Sequence, residues 1–270
     1  MSIQDFGRIG FAKKGIPKGG VMDFFAANLA NTLLNNDISD AVIEITFGFG
    51  KLEFTSNTFI CLTGGDFSPK LNAISIKMNS IIEIKKGDVL SFGKRKYGAR
   101  TYLAVDEGIQ SDLVLNSRSF FQGITPFDRL RKGDVVQIRS QSKLNKTNNS
   151  RVKIENQHFT SRELQCYKGP EFERLNENQK ESLMGYFIIS EDNNRVGYRL
   201  KESLENNLKP ILTSSVLPGT VQLTPSGKLI VLMRDCQVTG GYPRILQLSN
   251  ESIDKLAQKI TGDMIRFKII

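Results

Sequence analysis

The chain has 270 residues, a formal net charge of +9 and 39% hydrophobic residues, enough apolar material for one large or two small folded domains. Its single histidine, His158, excludes a metal site built from two histidines of this chain, and its three separated cysteines are typical of reduced, buried thiols. Because the basic residues match no nucleic-acid-binding motif and no signal peptide or long apolar run occurs, we expect a cytoplasmic protein with neither nucleic acid nor membrane as a partner.

Short apolar runs typical of β-strands occur along the whole chain, separated by turns rich in Gly, Asp, Asn and Pro. Many short strands at close spacing are the signature of a barrel or a sandwich. The clearest runs occupy residues 59–62, 81–84, 89–92, 101–105, 135–138, 220–223, 229–233 and 265–267.

Three short helices are predicted, and each follows a residue that commonly caps a helix. Asp23 precedes an apolar repeat over residues 24–35. Asn176 precedes a second helix over 177–184, and Ser249 precedes a third over 251–260. We expect these helices to cover the ends or the outer face of a β structure.

The pair Gly-Asp followed by an alternating run occurs three times, at residues 87–90, 133–136 and 262–265. Gly accepts positive φ and Asp accepts hydrogen bonds from nearby amides, so we expect these aspartates to shape turns. Residues 140–150 contain one apolar residue in eleven, which is typical of a linker. The sequence therefore predicts an N-terminal β module over 1–140, with one helix near 24–35, and a C-terminal β module over 151–270.

The candidate site residues lie in polar, glycine-rich turns, since no P-loop, GxGxxG or GxSxG motif occurs. A first segment carries Asp5 and Arg8 and leads to a helix start, where exposed amides attract anions. A rigid loop with Asp5 bonded to local amides is the alternative. A second segment carries Thr63 and Gly64, whose Thr-Gly-Gly amides form either an anion-binding nest or a β-bulge.

Two further segments lie in the C-terminal half. Arg195 and Arg199 carry guanidinium groups that match carboxylate or phosphate oxygens, with surface ion pairing to nearby glutamates as the alternative. Asp235 ends an apolar strand beside an amide-rich turn, where it acts as a general base, orients a ligand amide, or merely caps its own turn. The neighbouring polar residues of this last segment are Gln222, Thr239, Gly240, Gly241 and Tyr242.

In this order, these segments resemble one family, the KipA type, also called the C subunit of prokaryotic 5-oxoprolinase, allophanate hydrolase subunit 2 or biotin-dependent carboxyltransferase. The resemblance spans nearly the whole chain, and the block that ends in Thr-Gly-Gly-Tyr-Pro is its most specific part. The matching blocks are residues 4–31, 44–54, 63–72, 194–200, 219–245 and 262–263.

The chain departs from the family pattern at a few positions. Ala73 replaces the common glycine of an Asn-Gly turn, and Asp106-Glu107-Gly108 replaces a double glycine. Met1 nearly adjoins the first motif, so either the start codon is misassigned or the first strand is shortened.

The resemblance implies a mainly β protein with a few helices and a cyclophilin-like β-barrel architecture of two related β modules. It implies that the chain is the KipA-type subunit of an ATP-dependent complex that opens 5-oxoproline to L-glutamate with two partners, one KipI-like and one LamB/YcsF-like. ATP and Mg²⁺ are then used by the complex, with no metal held by this chain alone. Two alternatives stay open: a KipI-binding antagonist that regulates a sporulation-type histidine kinase, and the carboxyltransferase half of a biotin-dependent, urea-type carboxylase.

For amide-ring opening, groups that bind phosphate and carboxylate are needed, and the arginines and the two Thr-Gly-Gly turns supply them. We accordingly predict Asp235 and Arg195 as catalytic residues. The predicted substrate-binding residues are Asp5, Arg8, Thr63, Gly64, Arg199, Gln222, Thr239, Gly240, Gly241 and Tyr242.

Overall fold

The computed structural model describes residues 1–139 and 157–270, which divide into two compact units. The described part of the first unit comprises Met1–Arg8 and residues 23–139, and the second comprises Ile9–Met22 and Gln157–Ile270. The predicted linker at 140–150 lies outside the described residues. Residues 9–22 pack with the second unit. The sequence predicted modules over 1–140 and 151–270 and therefore placed this segment in the first module.

The first unit is built from two antiparallel sheets. Its strands are β1 Ser2–Gln4, β2 Val42–Thr46, β3 Lys51–Glu53, β4 Thr58–Asp66, β5 Lys70–Leu71, β6 Ile74–Ser75, β7 Ile81–Ile84, β8 Val89–Ser91 and β9 Tyr97–Val105. The larger sheet has the order β1-β2-β9-β4-β7 and the smaller β3-β8-β5-β6. The long strands β4 and β9 are almost fully buried and form the centre of the larger sheet.

Helix α1, Phe24–Leu33, belongs to the first unit and confirms the first predicted helix. The Asp23 carboxylate accepts a hydrogen bond from the Ala26 amide at 2.9 Å, so Asp23 is the N-cap. The helix ends two residues before the predicted end, since Asn35 has a φ of 57°, in the left-handed region. Its alanine-rich face is buried.

The second unit contains a closed barrel. Its strands are β10 Glu163–Lys168, β11 Tyr186–Asn193, β12 Gly197–Ser203, β13 Ser214–Ser215, β14 Thr220–Leu223, β15 Lys228–Leu232, β16 Thr239–Gly240, β17 Arg244–Leu248 and β18 Met264–Ile269. The barrel has the order β10-β17-β14-β15-β12-β11-β18, and the parallel pair β10 and β18 closes it. Strands β13 and β16 pair separately as a short ribbon. The predicted fold class, mainly β with a barrel and two β modules, is confirmed.

Three helices accompany the barrel: α2 Gln157–Thr160, α3 Glu177–Leu183 and α4 Asn250–Ala257. Asn176 and Gln179 form a reciprocal capping box at the start of α3, and Ser249 caps α4 through the Ser252 amide. Both predicted C-terminal helices are therefore confirmed with their caps. None of the helices described is long and apolar enough to cross a membrane.

The three Gly-Asp turns share one geometry. Asp88, Asp134 and Asp263 each accept a hydrogen bond from the backbone amide three residues earlier, at 2.7, 2.7 and 2.9 Å. The preceding glycines have φ values of 94°, 94° and 88°, which side chains rarely adopt. These aspartates shape turns, as the sequence predicts.

The predicted strand at residues 135–138 is wrong. Only Ile138 pairs, in an isolated bridge with Ile109, and Val135 is 86% exposed. Among the described residues no strand runs beside residues 135–138, and an apolar pattern without a pairing strand does not form a sheet.

Candidate functional site

The structure joins the two predicted catalytic residues in a bidentate ion pair within the second unit. Arg195 Nε lies 2.7 Å from Asp235 Oδ2, and Arg195 Nη2 lies 3.0 Å from Asp235 Oδ1. The Asp235 amide donates to the Arg195 carbonyl at 2.9 Å, so the main chains are bonded as well. Arg195 also donates to the carbonyl of Gly20, which holds the segment Ile9–Met22 against the pair.

This arrangement orients both side chains while leaving them accessible. The side chains of Arg195 and Asp235 are 23% and 12% exposed, so solvent reaches the pair. The carboxylate of Asp235 is thus oriented by the guanidinium fork of Arg195, in a pair whose two charges offset each other. Arg199 follows on strand β12, where its side chain is exposed and it pairs across the sheet with Ile230.

Gln222 and the predicted glycine turn meet on the outer face of the barrel. Val221 and Leu223 belong to the barrel core, so the alternation of a strand turns Gln222 to the opposite face. There the β13–β16 ribbon covers it, and a Cβ added at Gly240 would lie 2.5 Å from Gln222 Nε2. Only glycine at 240 permits this approach. Gly241 and Tyr242 continue the turn, with Tyr242 39% exposed.

Sequence reasoning missed a second ion pair on this face. Arg244 Nε and Nη2 each lie 3.0 Å from a Glu171 carboxylate oxygen, and Arg244 Nη1 donates to the Ser215 carbonyl at 3.0 Å. The hydrogen bond from Arg244 holds the pKa of Glu171 below its usual range. The position of Arg244 directly after the Thr-Gly-Gly-Tyr-Pro motif was a signal that could have identified it as a site residue. Glu171 lies 73 residues away in the sequence, and no local pattern identified it as the partner of Arg244.

Asp5 and Arg8 lie in the first unit and hold one loop together. The Asp5 carboxylate accepts from the Gly7 and Arg118 amides at 2.8 and 2.6 Å, and from the hydroxyls of Ser117 and Ser119 at 2.6 and 2.7 Å. Arg8 is buried and donates to the Ser119 carbonyl. This is the geometry of the rigid-loop alternative, and a substrate contact for either residue stays a prediction.

Thr63 and Gly64 also lie in the first unit, on the central strand β4. The buried Thr63 hydroxyl donates to the Ala26 carbonyl at 2.6 Å and so attaches helix α1 to the sheet. Gly64 has a φ of 82° where the pairing of β4 with β9 shifts register. The structure thus places a β-bulge at this segment.

A buried polar network in the same unit escaped the sequence reasoning. Tyr102 Oη donates to Glu44 Oε2 at 2.9 Å and accepts from the Asp23 amide at 2.8 Å. Arg100 Nε lies 3.7 Å from Glu44 Oε1, and all four residues are buried. Burial, then the charges of Glu44 and Asp23, raise the pKa of Tyr102 well above its ordinary value. The network connects the start of α1 to strands β2 and β9.

The three cysteines are expected to resist alkylation in the folded chain. All are buried, and burial raises the pKa of Cys61 and Cys236 to about 12 and that of Cys166 to about 11. A thiol is nucleophilic only as the thiolate, whose fraction is very small at about pH 8 when the pKa is raised this far. Iodoacetamide labelling followed by mass spectrometry should show modification only after denaturation. Rapid labelling of a native thiol would contradict the burial.

The described parts of the chain contain no group of three or more His, Cys, Asp and Glu side chains placed to hold a metal ion.

Comparison with known proteins gives a consistent match. Residues 14–269 match the family model described as carboxyltransferase domain, subdomain A and B. The chain is 32% identical over 273 aligned residues to the 5-oxoprolinase C subunit of Escherichia coli strain K12, covering 98% of this chain and 87% of that protein.

Two solved structures share the fold. The structure of TTHA0988 has a TM-score of 0.85 at 25% identity, with 99% of this chain and 53% of that chain covered. The urea amidolyase of Kluyveromyces lactis has a TM-score of 0.85 at 26% identity, with 98% of this chain covered. This chain spans about half the length of the first protein and 18% of the second.

Proposed function

Because the chain belongs to the carboxyltransferase domain family, we propose that it is the KipA-type subunit of an ATP-dependent 5-oxoprolinase, a complex that opens 5-oxoproline to L-glutamate. Similarity over 98% of the chain to the 5-oxoprolinase protein of Escherichia coli is the observation that carries this proposal. The partners are a KipI-like subunit and a LamB/YcsF-like subunit.

The Arg195–Asp235 pair is the part of this chain best suited to the substrate. Ring opening adds water to the lactam carbonyl, breaks the C–N bond and delivers a proton to the departing nitrogen. A carboxylate that is 12% exposed and oriented by an arginine is suited to accept a hydrogen bond from the lactam N–H in this reaction. Arg195 fixes the orientation of that carboxylate through two parallel hydrogen bonds.

ATP and Mg²⁺ do not fit the residues of this chain. The sequence has no P-loop or GxGxxG motif, and the described ranges hold no cluster of metal-ligating side chains. We therefore assign nucleotide binding to the complex as a whole, whereas Asp235 and Arg195 of this chain act on the substrate.

One alternative has a specific observation in its favour. The likeness to the urea amidolyase, at a TM-score of 0.85, fits the carboxyltransferase half of a biotin-dependent, urea-type carboxylase. That reaction moves a carboxyl group from biotin to a nitrogen of urea, which loses a proton, so the same carboxylate would accept a hydrogen bond from the reacting N–H.

The test is ADP release by the chain purified with its cognate KipI-like and LamB/YcsF-like partners. Release that depends on 5-oxoproline and yields glutamate is expected. Release that is independent of 5-oxoproline, or that instead requires urea or biotin, would contradict the oxoprolinase proposal, and the second result would favour the carboxyltransferase alternative.

A further inference from the structure

The side-chain nitrogen Nε2 of Gln222 is buried and has no hydrogen-bond partner among the described residues. Gln222 is 2% exposed, and within residues 1–139 and 157–270 no group accepts a hydrogen bond from its Nε2. Buried amide donors are nearly always bonded, because an unpaired one forfeits its bonds to water and gains nothing in return. The exception points to a partner that the described residues do not supply.

Other glutamines of the same unit are satisfied. Gln247 Nε2 donates to the Pro218 carbonyl at 2.8 Å, and its Oε1 accepts from the Thr220 hydroxyl at 2.9 Å. Gln179 Nε2 donates to the Glu205 carbonyl at 2.6 Å, and its Oε1 accepts from the Asn176 amide at 2.9 Å. The unpaired donor is therefore particular to Gln222 among these three.

The surroundings of Gln222 define which acceptor it suits. Its cross-strand neighbour Arg244 is paired with Glu171, so these two charges offset each other. Val216 lies beside Gly240, where an added Cβ would be 3.3 Å from it, and packs with Leu232 and Cys236. A neutral donor in neutral, partly apolar surroundings suits a neutral oxygen better than a free anion.

The same face leads to the ion pair of the proposed site. Cys236, a member of the apolar cluster with Val216, directly follows Asp235 in the chain. This apolar cluster thus contains Val216, which lies beside Gly240 next to Gln222, and the residue that follows Asp235. The carbonyl oxygen of an amide substrate is a neutral acceptor of the kind that the Gln222 donor suits.

We infer that Gln222 Nε2 donates to the carbonyl oxygen of a planar amide substrate, a lactam or a ureido group. The choice of 5-oxoproline as that substrate rests on the proposed function. Urea and the ureido ring of biotin present the same carbonyl chemistry, so the three compounds serve as separate probes of one site.

The test uses Gln222→Met in the full chain, with Gln247→Met as the matched control. Methionine keeps the length of glutamine without its polar group, so the melting temperature of Gln222→Met should rise by about 2–4 °C because a buried unpaired donor is removed. Gln247→Met loses the three hydrogen bonds of the Gln247 side chain and should melt at a lower temperature. Addition of 5-oxoproline should raise the melting temperature of the wild-type chain but not that of Gln222→Met.

Kinetics of the assembled complex give the second readout. Gln222→Met should raise KM for 5-oxoproline about tenfold, as expected for the loss of one substrate hydrogen bond, with a smaller change in kcat. Gln247→Met should leave KM unchanged.

The outcomes separate this inference from the proposed function. Urea or biotin, but not 5-oxoproline, could raise the melting temperature of the wild-type chain and not that of Gln222→Met. This result supports the carbonyl site and contradicts the oxoprolinase proposal. An unchanged melting temperature and an unchanged KM in Gln222→Met overturn the inference, while 5-oxoproline-dependent ADP release by the wild-type complex still supports the function. The inference is also overturned if none of the three probes changes the melting temperature of the wild-type chain more than that of Gln222→Met.

Discussion

Substitution of Asp235 by asparagine is expected to lower 5-oxoproline-dependent turnover of the assembled complex about a hundredfold, a typical loss when one preorganised polar group at a reaction centre is removed. Asparagine keeps the shape of the side chain but removes the charge that holds the Arg195 fork at 2.7 and 3.0 Å. Arg195→Ala should have a similar effect. Because the two side chains act as a unit, the double variant should be scarcely slower than either single variant.

The control for this experiment is Asp192→Asn, an exposed aspartate on β11 of the same unit. All variants are compared by circular dichroism, by co-purification with the KipI-like and LamB/YcsF-like partners, and by ADP release. Near-normal turnover in Asp235→Asn, with a folded and assembled complex, would show that the Arg195–Asp235 pair has no role in catalysis.

Substitution of Glu44 by alanine is expected to destabilise the chain by about 3–5 kcal/mol, as found when one partner of a buried ion pair is removed. Glu44 accepts from Tyr102 at 2.9 Å and lies 3.7 Å from Arg100, and the side chains of Glu44 and Arg100 are 1% and 6% exposed. Without the carboxylate, the Arg100 charge stays buried without this counter-ion. Urea denaturation followed by circular dichroism measures the loss.

Two variants accompany Glu44→Ala. Glu53→Ala, at an exposed position on β3, should change stability by less than about 0.5 kcal/mol. Tyr102→Phe removes only the hydroxyl and should cost about 1–3 kcal/mol, since it leaves buried groups of Glu44 and Asp23 without that bond. Equal stability of Glu44→Ala and Glu53→Ala would show that the network contributes nothing to folding.

Local signals in the sequence predicted the helices, the Gly-Asp turns and most of the strands, whereas the barrel was predicted only by the family resemblance. The caps Asp23, Asn176 and Ser249 predicted three helices at their observed starts, give or take one residue, because a cap acts on amides two or three residues away. The Gly-Asp turns were equally predictable, since their hydrogen bonds span three residues. Apolar runs predicted strands wherever a neighbouring strand was present to pair with them.

The candidate site was predicted only as a set of residue types. Asp235 and Arg195 were each singled out from their own turns, but their contact spans 40 residues of chain. Arg244 with Glu171, and Tyr102 with Glu44, are separated by 73 and 58 residues and left no periodic signal. Side-chain pairing over such separations depends on how strands are ordered in a sheet.

The sequence by itself determined that this protein is mainly β, where its helices begin, which turns its aspartates shape and which family it resembles. The tertiary structure alone decided that residues 9–22 pack with the second unit and that Asp235 and Arg195 form a pair. It also decided that Gln222 Nε2 is buried without a hydrogen-bond partner among the described residues. The physical reason is range: caps, turns and periodicity act over a few residues, whereas burial and ion pairing depend on segments that only the completed fold brings together.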